Sequence, residues 1–245
     1  MQKTCLIIPC YNEAKRLSVE AIQKFINEND HVSFFFVNDG SKDATLPILE
    51  SMQKKNVEKI FILSLKINKG KAEAIRQAVL DAMNWSRFEV IGFWDADIST
   101  PLAELNKMLR IMRDEPTNEI IIASRVKRLG AIIERKRIRH IFGRIFSTFS
   151  SLILKLPVYD SQCGAKIFNT TILSIAFSDP FISKWLFDVE ILARIRNKYG
   201  TENAKQIVYE MPVSHWADVS GSKIRFTHYL KVPFELLKIN NHYNK

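Results

Sequence analysis

Short apolar runs alternate with amphipathic segments along the first half of the chain. Each run is bounded by polar turn residues, as is typical of buried strands, whereas the segments between the runs repeat apolar residues at helical spacing. The predicted strands are Thr4–Ile8, Val32–Val37, Lys59–Leu65, Val90–Trp94 and Glu119–Ala123, and the predicted helices are Leu17–Asn29, Asp43–Lys54, Lys71–Asn84 and Pro101–Arg113. This alternation predicts the α/β class, with a mostly parallel central sheet that is flanked by helices.

A long apolar stripe distinguishes the second half of the chain. Between residues 138 and 156 apolar side chains recur at helical spacing among Arg, Ser and Thr. The pattern predicts an amphipathic helix, either a core or dimer helix of a homo-oligomer or a helix that lies on a membrane surface. The other predicted elements are a helix near Trp185–Lys198, a strand near Gln206–Met211 and a C-terminal helix that is broken by Pro233. No linker or repeat is visible, so a single domain over residues 1–245 is expected.

The positive charge of the chain indicates which classes of binding partner are expected. The net charge is +10, and Lys and Arg are concentrated between residues 125 and 144. Such a balance suits nucleic acid, an anionic membrane surface or phosphate-bearing substrates. Nucleic acid is disfavoured because strand binding needs aromatic rings among the basic residues, whereas Phe142, Phe146 and Phe149 fall on the apolar stripe.

Composition and the search for targeting signals indicate in which cellular compartment the protein is expected. The 245 residues are 47% hydrophobic and 25% charged, which is typical of a globular domain. Cys5, Cys10 and Cys163 are odd in number and lack the spacing of a metal site, so a reduced, cytoplasmic protein is expected. Neither a secretory signal peptide nor an apolar run of transmembrane length is recognised, and therefore no transmembrane helix is predicted.

Asp95 and Asp97 follow directly after the predicted strand Val90–Trp94. Ligands of parallel α/β sheets bind at the carboxyl ends of the strands. Two carboxylates two residues apart at such an end suit a hard divalent cation, which takes oxygen ligands and commonly sits on phosphates. A lone Asp-x-Asp sequence also occurs in surface turns, so the other strand ends must support the same interpretation.

The other strand ends also carry polar side chains and glycines. An aromatic ring beside a strand end can stack on a nucleobase, and neighbouring amides and carboxylates can bond to the edge of the base or to the ribose. Lys69, Gly70 and Lys71 precede a helix N-terminus, a combination that suits an anion. Turn formation and helix capping are the alternative roles. The residues of this kind are Pro9, Tyr11, Asn12, Glu13, Asp39, Gly40, Ser41, Asn68, Lys69, Gly70 and Lys71.

Six short motifs in a fixed order carry a family resemblance. They are Pro-x-Tyr-Asn-Glu at 9–13, Asn-Asp-Gly-Ser at 38–41, Asn-x-Gly-Lys at 68–71, Asp-Ala-Asp at 95–97, Ser-Arg at 124–125 and Asp-x-x-x-Gly-x-Lys at 160–166. The set resembles the family-2 glycosyltransferases, whose single nucleotide-sugar-binding α/β domain has the GT-A fold. Residues 160–166, 185–190 and 219–223 are similar to the dolichyl-phosphate β-glucosyltransferase branch, which moves glucose from UDP-glucose to a polyprenyl phosphate.

The resemblance implies an inverting transfer of a hexose from a UDP-sugar, UDP-glucose above all, to a dolichyl or undecaprenyl phosphate. Mg²⁺ or Mn²⁺ on Asp95 and Asp97 would stabilise the charge of the leaving diphosphate, with Lys69 or Lys71 as additional cations. The strand-end residues, together with Asp95 and Ala96, would bind the nucleotide sugar. Residues 98–100 offer no clear third metal ligand, and Asn38 stands where the family usually has an acid.

The resemblance places the nucleotide sugar against residues 1–125 and the acceptor against residues 126–245. A lipid phosphate is already anionic, so it needs a cationic clamp and no strong base. The clamp candidates are Arg125, Arg135, Arg139, Lys166 and Lys223. This acceptor favours the membrane-surface interpretation of the 138–156 helix, with the protein peripheral on the inner face of an anionic membrane.

A hydroxyl group of a glycan or of a polysaccharide precursor is the alternative acceptor. Transfer to a hydroxyl would need a general base, for which Asp160 and Asp188 are the candidates. Over both alternatives, the candidates for a catalytic role are Asp97, Asp160, Asp188 and Lys166.

Overall fold

A computed structural model of the protein describes residues 2–135, 137–218 and 227–243, and the side chains of 137–140, 142 and 227–231 lie outside that description. The strands are β1 (Thr4–Cys10), β2 (Val32–Asp39), β3 (Ile60–Leu65), β4 (Val90–Trp94), β5 (Ile120–Ser124), β6 (Ile132–Glu134), β7 (Ala165–Asn169), β8 (Val208–Pro212) and β9 (His215–Ala217). One sheet has the order β3-β2-β1-β4-β7-β5-β8, and β6 pairs with β9. Among these described strands of the large sheet, β7 alone runs antiparallel to its neighbours, so the predicted mostly parallel sheet is confirmed.

Helices cover both faces of the large sheet. They are α1 (Val19–Glu28), α2 (Thr45–Lys55), α3 (Lys71–Asn84), α4 (Ala103–Asp114), α5 (Arg137–Leu154), α6 (Leu173–Phe177), α7 (Phe187–Tyr199), α8 (Thr201–Ile207) and α9 (Thr227–Tyr243). Every strand and helix predicted for the first half is present, with ends that differ by a few residues. The fold class inferred from the alternation is therefore confirmed.

Burial on both faces explains the continuous apolar sequence of the strands. In β1, Cys5 and Ile7 belong to the core cluster that contains residues of α3 and α7, whereas Leu6 and Ile8 belong to the cluster that contains residues of α1, α2 and α4. A strand alternates its side chains between the two faces, so a strand between two helix layers needs apolar residues throughout. This packing leaves the strand ends as the exposed, polar edge of the sheet.

The sequence pattern did not predict β7, which lies between β4 and β5. Lys166 interrupts its short apolar run, so the segment lacks the pattern of a buried strand. The antiparallel register pairs Trp94 of β4 with Ala165, and Phe93 with Lys166. Through this pairing the loop at residues 157–164 comes to lie beside Asp95, at the end of β4.

The strand predicted near Gln206–Met211 is present as β8, although it begins two residues later. The sequence from Gln206 was predicted as a strand, but α8 continues to Ile207 and β8 begins only at Val208. The strand then runs parallel to β5, pairing Ile120 with Val208. Boundaries of short elements depend on tertiary pairing, which the local pattern does not contain.

The predicted break at Pro233 is also wrong, because α9 continues through this residue. A proline removes one backbone hydrogen bond from a helix interior and strains the preceding turn. Val232, Leu236 and Ile239 lie on the buried face of α9. Most helical stability in proteins comes from such packing, which offsets the lost bond here.

The amphipathic helix predicted at 138–156 is present as α5, but its apolar stripe divides into two faces. Phe146 and Leu154 are buried in the core, and α5 packs against α7 and α9. The exposed apolar side chains of α5 are Ile141 (58% exposed), Ile145 (49%), Phe149 (57%) and Leu152 (69%). Core packing therefore accounts for one face and leaves the other uncovered. None of the helices within the described ranges has the length and apolarity needed to cross a bilayer.

Candidate active site

The loops after β1 and β2 are tied together at the carboxyl edge of the sheet. The backbone N–H of Asn12 donates to Ser41 Oγ at 3.0 Å, and the N–H of Lys42 donates to Asn12 Oδ1 at 2.8 Å. Asn12 has a φ of 51°, in the left-handed region that Asn tolerates better than most residues. Pro9 and Tyr11 lie half-buried in the same loop. Four predicted nucleotide-sugar contacts thus share one edge, and two of them also hold the loops in place.

Asp39 fixes the loop that precedes α3. Its carboxylate is buried, and its two oxygens accept the backbone N–H groups of Lys69 at 2.7 Å and of Gly70 at 2.9 Å. Gly40 has a φ of +65°, and a Cβ on this residue would lie 2.6 Å from the backbone nitrogen of Asn68. The predicted residues of the second and third motifs therefore contact each other. Asp39 accepts hydrogen bonds from the two residues that precede α3.

Lys71, the first residue of α3, bonds to the acid pair. Its ammonium donates to Asp95 Oδ1 at 2.6 Å. Burial alone would lower the pKa of Lys71, but the carboxylates of Asp95 and Asp188 outweigh that effect and raise the pKa above its ordinary value. A permanent positive charge therefore lies beside the first acid of the pair, at a helix N-terminus that itself favours anions.

Gly164 leaves just enough room for Asp95. The backbone N–H of Asp95 donates to the carbonyl oxygen of Gly164 at 2.9 Å. A Cβ added to Gly164 would lie 1.8 Å from Asp95 Oδ2, well inside contact distance. The loop before β7 therefore leaves space for the Asp95 carboxylate because residue 164 has no side chain. The motif at 160–166 includes this glycine, but the sequence alone does not show why it is needed.

Replacing Gly164 with Ala is expected to displace the Asp95 carboxylate and lower turnover by about 10²-fold, because misplacement by an ångström costs this much in a preorganised site. Turnover with saturating donor measures the effect. In an Asp95→Ala background the same substitution should cause little further loss, since the displaced group is gone. Equal losses in both backgrounds would contradict the proposed displacement.

Asp97 is held by its own turn and approached by an arginine. Its Oδ1 accepts from the N–H of Ser99 at 3.1 Å and from Ser99 Oγ at 2.7 Å. Arg16 Nη1 lies 3.9 Å from Asp97 Oδ2, and the same guanidinium donates twice to Glu13. The hydrogen bonds to Glu13 raise the pKa of Arg16. Arg16 was not among the predicted site residues, although its three-residue spacing from Glu13 is that of a helical ion pair.

The acid pair fits a divalent cation that takes its remaining ligands from the substrate. Asp95 and Asp97 offer carboxylate oxygens at the polar edge, which is the ligand chemistry of Mg²⁺ and Mn²⁺. Within the described parts of the chain, no group of three or more His, Cys, Asp or Glu side chains is placed to hold a metal. Mg²⁺ usually binds through one or two carboxylates, and phosphate oxygens and water would then complete its coordination.

Lys166 and Asp188 form a buried ion pair behind the acid pair. Lys166 Nζ donates to Asp188 Oδ1 at 2.5 Å and to the carbonyl oxygen of Cys163 at 2.6 Å, and its side chain is 1% exposed. Asp188 lies in the first turn of α7, where the helix dipole favours a negative charge. The Lys166 ammonium also lies 5.2 Å from the centroid of the Phe93 ring. Two of the four predicted catalytic residues, Lys166 and Asp188, are therefore bonded to each other.

Arg125 and Asp160 form a second pair at the end of β5. Arg125 Nε and Nη2 donate to the two Asp160 oxygens at 2.6 and 2.7 Å, and the backbone N–H of Arg125 donates as well. Burial would raise the pKa of Asp160, but the ion pair with Arg125 outweighs it and holds this pKa below its usual range. The adjoining N–H groups of Tyr159 and Asp160 donate to Glu210. Asp160 is thus a firmly bound carboxylate.

The remaining clamp candidates lie on the same side or outside the described residues. Arg135 packs against α5, where its Nη2 is 2.6 Å from the position of a Cβ on Gly143. Its charge also contributes to lowering the pKa of Asp160. The Arg139 side chain and Lys223 fall outside the described residues. Of the two described arginines, Arg125 bonds directly to Asp160, and Arg135 packs against α5.

Glu190 is a further buried carboxylate that sequence analysis did not assign to the site. It accepts the backbone N–H groups of Ile182 and Ser183, and it pairs with Arg194 at 2.9 Å. Tyr243 of α9 donates to it at 2.9 Å, and burial raises the pKa of this tyrosine to about 12, so the donor keeps its proton. Glu190 therefore fixes the segment that leads into α7 and Asp188.

A mostly parallel α/β sheet with an acid pair at one strand end and a lysine-bearing helix N-terminus beside it suits a glycosyltransferase of the GT-A fold. The fold is shared with glucosyl-3-phosphoglycerate synthase from Mycobacterium tuberculosis. Its structure in complex with Mn²⁺, UDP and glucosyl-3-phosphoglycerate has a TM-score of 0.71 and 12% identity, over 99% of this chain and 80% of that chain. Its structure with Mn²⁺ and UDP-glucose has a TM-score of 0.70 and 13% identity, over 99% and 79%. At such identities the comparison establishes the GT-A fold alone.

Residues 5–174 match the family described as Glycosyl transferase family 2, and the chain belongs to that family. Similar curated proteins are the dolichyl-phosphate β-glucosyltransferases of several eukaryotes. That of Dictyostelium discoideum is 29% identical over 97% of this chain and 74% of its own length, and that of Drosophila melanogaster is 31% identical over 89% and 68%. The Homo sapiens protein is 30% identical over 97% and 75%. The predicted family, fold and glycosyltransferase activity are confirmed.

Proposed function

We propose that this glycosyltransferase moves glucose from UDP-glucose to a polyprenyl phosphate, with inversion at the anomeric carbon. The observation that carries the proposal is the ion pairing of both candidate bases, Asp160 with Arg125 and Asp188 with Lys166. A carboxylate whose pKa is lowered by a bound guanidinium, as in Asp160, is a poor general base. The site therefore suits an acceptor that brings its own anionic nucleophile. The names of the curated relatives support the same acceptor.

The donor is expected to lie along the strand ends of the first half. Asp95 and Asp97 would hold Mg²⁺ or Mn²⁺, which supplies positive charge to the leaving diphosphate when it is bound. Lys71 adds a fixed positive charge, and the N-terminus of α3 directs backbone N–H groups to the same region. The loops held by Asp39, Asn12 and Ser41 would then receive the nucleoside, and the neighbouring glycines let the backbone approach it.

The transfer needs the acceptor phosphate close to the anomeric carbon. An oxygen of the acceptor phosphate forms the new bond to that carbon as the bond to the diphosphate breaks, and the bonding electrons leave with UDP. The phosphate oxygen is already ionised near neutral pH, so no proton has to be removed. Arg125 and Arg135 would reduce the repulsion between the two phosphate groups. Asp160 keeps the Arg125 guanidinium oriented through two parallel hydrogen bonds.

UDP release is the measurement that tests the proposal. With UDP-glucose and Mg²⁺, addition of a short polyprenyl phosphate is expected to increase UDP release and to yield a glucosyl-lipid product. The unphosphorylated polyprenol is the matched control and should give no product, because it carries no anionic nucleophile. If UDP binds but the lipid phosphate adds nothing, a hydroxyl-acceptor transferase replaces the proposal.

A polyprenyl phosphate is embedded in a bilayer, so the enzyme must reach a membrane surface. The uncovered face of α5 has four apolar side chains, and α9, which packs against α5, adds Phe234 (75% exposed) and Leu237 (52% exposed). Each such side chain contributes up to about 1.5–3 kcal/mol when it is fully buried in lipid. Basic residues add about 1 kcal/mol each near an anionic leaflet. We infer reversible, peripheral attachment through this face.

The double substitution Phe149→Glu/Leu152→Glu is expected to abolish most co-sedimentation with anionic vesicles at low salt. Two charges in the apolar face would oppose burial in lipid and repel the anionic headgroups. Val57→Glu is the matched control, since Val57 is an equally exposed apolar residue (67%) outside α5 and α9. A wild-type protein that does not sediment with these vesicles would contradict the proposed attachment.

A further inference from the structure

The Lys71 ammonium neutralises Asp95, the first acid of the pair, to which a metal ion would also bind. The ammonium lies 2.6 Å from Asp95 Oδ1, at the distance of a charge-assisted hydrogen bond. The same ammonium lies 5.9 Å from the centroid of the Phe93 ring and 5.7 Å from that of Phe187. Aromatic faces attract cations at this range. The ammonium therefore makes cation–π interactions with two aromatic rings, and these do not depend on Asp95.

Asp97, the second acid of the pair, lies farther from its cation than Asp95 does, at 3.9 Å compared with 2.6 Å. Arg16 Nη1 lies 3.9 Å from Asp97 Oδ2, and the same guanidinium is bonded to Glu13. A metal ion that approaches Asp97 therefore meets a guanidinium that is already neutralised. A metal ion that approaches Asp95 meets a close ammonium and must share or replace it.

A divalent cation and an ammonium repel each other when they share one carboxylate, and the repulsion is strong at a few ångströms. The donor diphosphate removes this conflict because it attracts both cations. Lys71 begins α3, so the ammonium and the helix N-terminus lie on the side where a phosphate would bind. The two aromatic rings can retain the ammonium while its bond to Asp95 is given up.

We propose that Lys71 is the counter-ion of Asp95 in the metal-free enzyme and transfers to the donor diphosphate when the metal binds. This inference rests on the proposed nucleotide-sugar donor and its metal. Lys71 then has opposite effects on two ligands: it competes with the metal alone, and it strengthens binding of the nucleotide once the metal is present. Metal and nucleotide thereby bind cooperatively, which disfavours a site loaded with metal only.

Two binding measurements on Lys71→Met test the proposal. The first titrates Mn²⁺ alone and follows the electron paramagnetic resonance signal of free Mn²⁺. The variant is expected to bind Mn²⁺ about three- to tenfold more tightly than the wild-type protein, because a competing charge is removed. The second titrates UDP at saturating Mn²⁺, where the variant is expected to bind about three- to tenfold more weakly.

Two variants serve as controls. Lys66→Met removes a positive charge from an exposed residue of the same loop and should leave both affinities unchanged. Lys71→Arg keeps the charge and should bind Mn²⁺ alone with wild-type affinity, which also shows that the position tolerates substitution. Thermal unfolding of each variant establishes that it is folded.

The proposal requires that Lys71→Met changes the two affinities in opposite directions, with tighter binding of Mn²⁺ alone and weaker binding of UDP. Unchanged or weaker binding of Mn²⁺ alone by Lys71→Met would overturn the counter-ion role. Tighter Mn²⁺ binding without loss of UDP affinity would overturn the transfer to the diphosphate. Neither titration contains an acceptor lipid, so a failure of the polyprenyl phosphate assignment would leave both results intact and the two proposals remain separable.

Discussion

Asp97→Asn is expected to lower turnover by about 10²–10⁴-fold and to leave the protein folded. The asparagine amide would keep an oxygen that accepts from the N–H and the Oγ of Ser99, so the turn after β4 retains its hydrogen bonds. The substitution removes the negative charge that a divalent cation needs, and charge stabilisation by a bound metal supplies several kcal/mol to the transition state. Turnover with saturating UDP-glucose and acceptor measures the loss.

Asp114→Asn is the matched control for this substitution. Asp114 is an exposed residue at the end of α4, and its ion pair with Arg113 lies at the surface, where such pairs contribute little. Its replacement should change neither turnover nor metal binding. If Asp97→Asn retained near-normal activity with Mg²⁺ at low concentration, Asp97 would not be a metal ligand in this enzyme.

Lys166→Met is expected to destabilise the protein by about 3–5 kcal/mol, because it leaves a carboxylate buried without its partner. The side chain of Lys166 is 1% exposed and that of Asp188 is 6% exposed, so neither group can turn to water for compensation. Breaking a buried pair in this way costs far more than the pair contributes relative to apolar residues of similar volume. The free energy of unfolding, measured by urea denaturation, gives the effect.

The double variant Lys166→Met/Asp188→Asn separates stability from catalysis. It leaves no unpaired charge, so it should recover much of the stability that Lys166→Met loses. If the folded double variant is inactive, the pair serves the reaction as well as the fold. A double variant no more stable than Lys166→Met would contradict the idea that an unpaired carboxylate causes the loss.

The first half of the site could be predicted because its residues follow regular elements. A buried strand followed by Asp95 and Asp97 is visible as an apolar run with a polar end, and the parallel sheet places such ends together. The role of Asp39 could not be predicted in the same way. Its carboxylate accepts N–H groups of Lys69 and Gly70, which lie in a different loop much further along the chain, and no local pattern reports that contact.

The second half of the site depended on β7, which the pattern did not reveal. Lys166 interrupts the strand and reads as a surface residue or a phosphate ligand, yet the antiparallel insertion buries it beside Phe93. Its partner Asp188 comes from a different helix. The pairing of Arg125 with Asp160 likewise joins two segments that are distant in sequence. The role of each of these charged residues depends on its ion-pair partner, and the fold topology determines which residues become partners.

Periodicity and short ordered motifs were enough to predict the alternation of strands and helices, the family and the polar strand ends. They did not indicate which charges neutralise each other or which face of α5 is uncovered. Burial and ion pairing depend on which residues are neighbours in space, and a local pattern does not contain that information. The parallel sheet, with one antiparallel strand inserted, brings these neighbours together from separate parts of the chain.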